Sequence, residues 1–110
     1  MLKSSQFRQI YDAGFRVPSQ CFVAFCWRAP EADGVPEADG PKIGFTAPRV
    51  LGKATLRNRM KRRLRETIRR ELWRLAPRWR IVWNLRRAAL TAPQTQLQSE
   101  VERVFERCKD

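Results

Sequence analysis

Histidine is absent from this 110-residue sequence, cysteine occurs three times, and 11 acidic residues stand against 23 Lys and Arg. Without imidazole, the chain lacks the commonest metal ligand and the side chain that exchanges protons near neutral pH. Cys21, Cys26 and Cys108 are odd in number and lack CxxC spacing, so neither a zinc site nor a thiolate nucleophile is expected, and all three read as small core residues. The scarce carboxylates are no better arranged. Glu31, Asp33, Glu37 and Asp39 share one Pro/Gly-rich stretch, and Glu66, Glu71, Glu100, Glu102 and Glu106 are spaced like solvent-facing helix residues. No pair is set to hold catalytic magnesium, so we expect no catalytic residue, no metal site and no protein-bound cofactor. Long apolar runs are missing as well. None approaches the roughly 18 residues of a spanning helix, and MLKSSQF at the start lacks the apolar core of a signal peptide. The expectation is a cytoplasmic protein with no membrane partner.

What the chain does contain is aromatic and basic. Its length suits one domain over residues 1–110, and 43% hydrophobic content with four Trp and six Phe suffices for a small core. A formal net charge of +12 exceeds what solubility requires and points to a polyanion, a nucleic acid in the first instance. Ser5 is placed to cap a short helix reaching Ala13, with Phe7, Ile10 and Tyr11 on one face and Gly14 as its stop. Phe15 to Val17 reads as a brief extended piece, and QCFVAFCWR, from Gln20 to Arg28, as a buried strand with Phe25 and Trp27 on one face and Phe22 on the other. PEADG then occurs twice, at Pro30 to Gly34 and Pro36 to Gly40, and reads as an exposed acidic loop over residues 30–41. KIGFTA, from Lys42, gives the next strand, ending at Pro48.

From Thr55 to Leu75 the pattern is helical. At about 100° per residue Leu56, Met60, Leu64, Ile68, Leu72 and Leu75 share an apolar sector, while Arg59, Arg62, Arg65 and Arg69 project from the other side. Between Arg49 and Arg87 the chain carries fifteen basic and two acidic residues. Like-charge neighbours such as Lys61 and Arg65 oppose helix formation by a few tenths of a kcal/mol, roughly, which a merely solvated face would avoid by mixing signs. The helix start adds free N–H groups and a positive dipole end beside Lys53, Arg57 and Arg59, a cradle for phosphate. Gly52-Lys53 is not a P-loop, because the required Gly and Ser/Thr positions hold Ala47 and Ala54. Arg80 to Leu85 reads as a strand, and Thr91 is placed to cap a last helix carrying Leu97, Val101, Val104, Phe105 and Cys108 on its core side.

The block KIGFTAPRVLGKATLRNRMKRRLRE resembles the signature of the bacterial ribonuclease P protein component, with RNR followed by KRRLRE as its most specific part. FRQIYDAG resembles the family's first helix, CFVAFCW its long strand, and RIVWNLRRAA its last strand with a basic end. The resemblance implies an α+β fold, a single-domain αβββαβα sandwich on a mainly four-stranded sheet, with a left-handed β-α-β crossover through the RNR helix against the usual preference. It further implies a protein subunit that joins a catalytic RNA and magnesium, the RNA performing hydrolysis, to remove the 5′ leader of precursor tRNA. No protein partner is required.

By position, Lys53, Arg57, Asn58, Arg59, Lys61, Arg62 and Arg65 would dock on the catalytic RNA subunit. Phe7, Tyr11 and Phe25, with Arg86 and Arg87 at the rim, would hold the single-stranded leader, since aromatic faces stack on bases of any sequence. Pro48-Arg49-Val50 departs from the Ser and Lys pair common in the family. Composition alone leaves open a structural or ribosomal RNA-binding protein without a processing role, which would share the charge but need no aromatic cleft.

Overall fold

The computed structural model describes residues 4–30 and 40–109, and the acidic repeat falls outside them apart from its bounding Pro30 and Gly40. Four strands, β1 (Phe15–Pro18), β2 (Phe22–Arg28), β3 (Lys42–Thr46) and β4 (Trp79–Leu85), form one sheet in the order β1-β2-β4-β3. β1 and β2 are antiparallel, as are β2 and β4, whereas β3 runs parallel to β4. A parallel neighbour requires a crossover. The helix α2 (Ala54–Glu71) supplies it, between 3-10 turns at Arg49–Leu51 and Leu72–Arg74. The helices α1 (Ser4–Ala13), α3 (Ala88–Thr91) and α4 (Gln94–Arg107) complete the α+β arrangement that the resemblance implies.

Strand alternation divides the buried residues between two faces. Phe22, Ala24 and Cys26 of β2, with Ile81, Trp83 and Leu85 of β4, meet Met60, Leu64 and Ile68 of α2 and Leu97, Val101, Val104 and Phe105 of α4. Trp83 fixes this layer, edge-to-face with Phe22 at 4.9 Å and with Phe105 at 6.2 Å between ring centroids. On the opposite face α1 buries Ile10 against Val82, flanked by Phe7, Phe25 and Trp27. Gly14 permits that docking, because a Cβ there would lie 2.5 Å from the Cys26 carbonyl oxygen. Cys21, Cys26 and Cys108 are all buried free thiols, as their apolar neighbours suggest.

The structure corrects the sequence reading at several places, and Ser5 lies inside α1 rather than capping it. Glu100 is not solvent-facing: it is 4% exposed, accepting the Cys21 N–H at 2.9 Å and a Gln96 side-chain N–H at 2.9 Å. That demand explains the later start of β2 at Phe22, since the Cys21 amide is spent on Glu100 and Ser19 N–H closes the turn onto the Phe22 carbonyl. α2 tightens to a 3-10 turn after Glu71 rather than continuing to Leu75, ahead of Pro77, whose ring disfavours helix in the residue before it. Thr91 closes α3 instead of capping α4, whose N-cap position is Pro93.

Candidate RNA interface

The α2 face away from the core is cationic because the apolar positions recur every four residues and leave the intervening ones to solvent. Lys53, Asn58, Arg59, Arg62 and Arg65 are exposed, and Arg57 and Lys61 half-buried. Among the described residues none of the six basic side chains in this set is in an ion pair, so their charge is free for an outside partner. Arg57 is partly committed: its Nη1 donates to the Ala47 carbonyl at 3.2 Å, binding the helix start to the end of β3. Arg65 stands 5.5 Å from the centroid of the Phe45 ring, which orients its guanidinium along the sheet edge. Gly52, at φ +127°, makes the turn that places the uncapped α2 N-terminus next to Lys53.

Two neighbouring arginines do structural work. Arg63 donates Nη1 to the Ala89 carbonyl at 3.1 Å and Nη2 to the Ala92 carbonyl, clamping α2 to the end of α3. Arg74 bonds Glu71 at 3.4 Å and Glu106 at 2.5 Å, tying the end of the crossover to α4. Charge density along this segment is therefore not uniform in purpose, and only contacts distinguish the clamps from the free cations.

On the other face of the sheet the three expected aromatics meet. Tyr11 lies edge-to-face with Phe25 at 4.6 Å and with Phe7 at 6.4 Å. Tyr11 is 36% exposed and the other two half-buried, so the cluster packs on Ile10 and Val82 below while offering ring surface above. Arg16, the cross-strand neighbour of Phe25, sits 5.8 Å over its ring. Asn84 and Thr46, which sequence reasoning passed over, join this face to the α2 start: Tyr11 Oη donates to Asn84 Oδ1 at 3.0 Å, and Thr46 Oγ1 donates to the same oxygen. The available signal was an amide at the α1-facing phase of a strand that is apolar apart from it and Arg80.

Arg86 and Arg87 follow β4 directly and are exposed. Arg86 continues the pairing, its N–H on the Cys21 carbonyl and its Nη1 on the Ser19 carbonyl at 3.3 Å. Arg87 turns the other way, onto the Val50 carbonyl at 3.0 Å. The pair thus straddles the end of the strand that holds Asn84, one guanidinium toward the β1–β2 turn and one toward the approach to α2.

Among the described residues no three His, Cys, Asp or Glu side chains are grouped to hold a metal ion. The Cys21 thiol is pushed up to about 11 by burial and by the Glu100 carboxylate it faces, and a hydrogen bond with Cys108, followed by burial, raises the Cys26 thiol. Neither is a nucleophile near neutral pH. No helix among the described residues is long and apolar enough to cross a membrane.

A cationic helix and an aromatic platform define a small RNA-binding protein of the α+β class. A sequence model of the ribonuclease P family matches residues 1–109. The ribonuclease P protein component of Symbiobacterium thermophilum is 40% identical over 102 residues, covering 92% of this chain and 83% of that one. That of Acidothermus cellulolyticus is 31% identical over 105 residues, covering 96% and 83%. The solved Staphylococcus aureus RNase P protein superposes with a TM-score of 0.77 at 27% identity, over 99% of this chain and 94% of that one. The RNase P protein from Thermotoga maritima, at 22% identity, a TM-score of 0.79 and coverage of 99% and 97%, shares the fold. The chain belongs to the ribonuclease P protein family, the protein subunits of a ribonucleoprotein endoribonuclease that matures the 5′ end of tRNA together with an RNA subunit.

Proposed function

We propose that the two faces divide the labour of this subunit, α2 docking on the catalytic RNA and the aromatic platform holding the single-stranded 5′ leader of precursor tRNA. Lys53, Arg57, Asn58, Arg59, Lys61, Arg62 and Arg65 meet the phosphate backbone of the RNA subunit, a contact of charge and shape rather than of base sequence. Phe7, Tyr11 and Phe25 stack with leader bases, and Arg86 and Arg87 meet the phosphates at the rim. Hydrolysis and the magnesium ions it uses belong to the RNA, and the protein raises the affinity for substrates that carry a leader. The assembly works in the cytoplasm.

The observation that supports this most is the contact of three aromatic rings on a face whose Asn84 and Thr46 lead to Ala47, and from there to Arg57 on α2. A leader lying on the platform would pass within reach of the RNA-bound helix. The test is the affinity of the reconstituted holoenzyme for precursor and for mature tRNA, with Phe7→Ala in the protein. Loss of one base–aromatic stack is worth about 1–3 kcal/mol, so precursor affinity falls about five- to a hundred-fold while mature tRNA binding holds. An unchanged precursor-to-mature ratio in a variant that circular dichroism shows to be folded would assign the cluster to packing alone.

A further inference from the structure

We infer that Trp73 is a stacking residue for an unpaired base of the catalytic RNA, extending the docking face of α2 beyond the helix itself. The inference rests on the α2 docking proposed above. Trp73 is 81% exposed, far more than Tyr11 at 36%. Among the described residues no ring, cation or hydrogen-bonding contact occupies it, whereas Trp79 and Trp83 are buried and Trp27 packs beside Ile10 and Val82.

Its exposure is built in. Leu72 and Leu75, on either side, turn inward to the core, and Arg74 is anchored on Glu71 and Glu106, so the 3-10 turn is pinned with the indole facing out. A side chain on such a turn is presented rigidly, which keeps the ordering cost of stacking low. Continued at about 100° per residue, Trp73 falls within about 40° of Arg59, Arg62 and Arg69, and the tighter 3-10 winding changes this by at most about 40° more. It therefore lies on the cationic side of α2, about 30 Å from Lys53. Arg69 and Arg70, both exposed, flank it one turn back, and Glu66 is the single acid on that stripe.

A lone exposed apolar residue is ordinary on a protein surface, as Val50 is here. An indole beside free guanidinium groups is a different combination: the cations draw a phosphate backbone in, and the ring takes a splayed-out base. Stacking is insensitive to ionic strength where phosphate contacts are not, and that separates the two contributions.

The experiment measures the affinity for the RNA subunit with which the wild-type protein restores precursor cleavage, across a salt series, for W73A, W73F, R59A and R62A. W73A should weaken binding about five- to a hundred-fold with the wild-type salt slope, W73F should stay within about threefold, and the arginine variants should flatten the slope by about one unit each. Wild-type affinity in W73A, with R59A and R62A impaired, overturns the Trp73 assignment and leaves the α2 interface standing. Wild-type affinity in all of them overturns both. Two further outcomes also overturn it: a W73A defect confined to precursor tRNA capture, and wild-type self-association in sedimentation that W73A abolishes.

Discussion

Tyr11 and Asn84, 73 residues apart, are joined by a 3.0 Å hydrogen bond from the phenol to the amide oxygen, and Thr46 donates to that same oxygen. One side chain on β4 therefore fixes both the ring of Tyr11 and the end of β3. Removing the bond without the ring separates the two duties of this tyrosine. Tyr11→Phe should retain the precursor preference of the holoenzyme within about twofold, whereas Tyr11→Ala, losing the stacking surface, should reduce it about five- to a hundred-fold. Equal loss in both variants would mean that the hydroxyl, not the ring, engages the leader.

Asn84→Ala leaves Tyr11 Oη and Thr46 Oγ1 without this acceptor while touching no apolar contact of the core. Both donors are partly open to water, so the expected loss is about 1 kcal/mol, read as a lower urea midpoint with an unchanged slope.

Among the described residues Glu100 is the buried carboxylate. Replacing it with Ala strands the buried Cys21 N–H and leaves the Gln96 amide bonded to Gln20 alone, at a cost of about 1–3 kcal/mol. Chemical denaturation of Glu100→Ala checks this, and a variant as stable as the parent would show that water takes over the bond.

The thiols set an alkaline limit. Cys21 is raised by burial first and by Glu100 second, to about 11, so its stabilising neutral form holds fully below the pKa of the unfolded thiol. As pH climbs from about 9 through about 11 the unfolded chain ionises first, and stability falls. Cys21→Ala should reduce the drop in unfolding free energy between pH 8 and pH 10.

On the basic helix, Arg63→Ala and Arg62→Ala should part company. Arg62 is exposed and without an ion pair, so its loss weakens RNA-subunit binding and leaves the melting temperature in place. Arg63 holds the Ala89 and Ala92 carbonyls, so its loss lowers stability first. Thermal melts and RNA titrations of the two variants, run in parallel, decide the matter.

Periodicity made α2 legible because a four-residue apolar repeat, Met60, Leu64, Ile68, has one structural solution. The aromatic meeting of Phe7, Tyr11 and Phe25 was legible only through the family resemblance, since one helix and one strand carry no local record of being neighbours. Glu100 was misread for the opposite reason: on α4 its spacing is that of a surface residue, and only the β1–β2 turn, 79 residues away, makes its burial favourable. Arg63 and Arg62 are adjacent and chemically identical, and nothing short of the α3 carbonyls tells clamp from contact.

The position of β4 governs how the molecule can be made. Last of the strands in sequence, it is inserted between β2 and β3, and β2 touches β3 nowhere in the sheet. During synthesis β1 and β2 can pair, but β2 and β3 wait without their shared neighbour, and pairing over such separations is slow to nucleate. Neither the platform nor the cationic helix has its complete scaffold until Trp79–Leu85 arrives, so a nascent chain halted before that point presents arginines without the geometry that gives them a target.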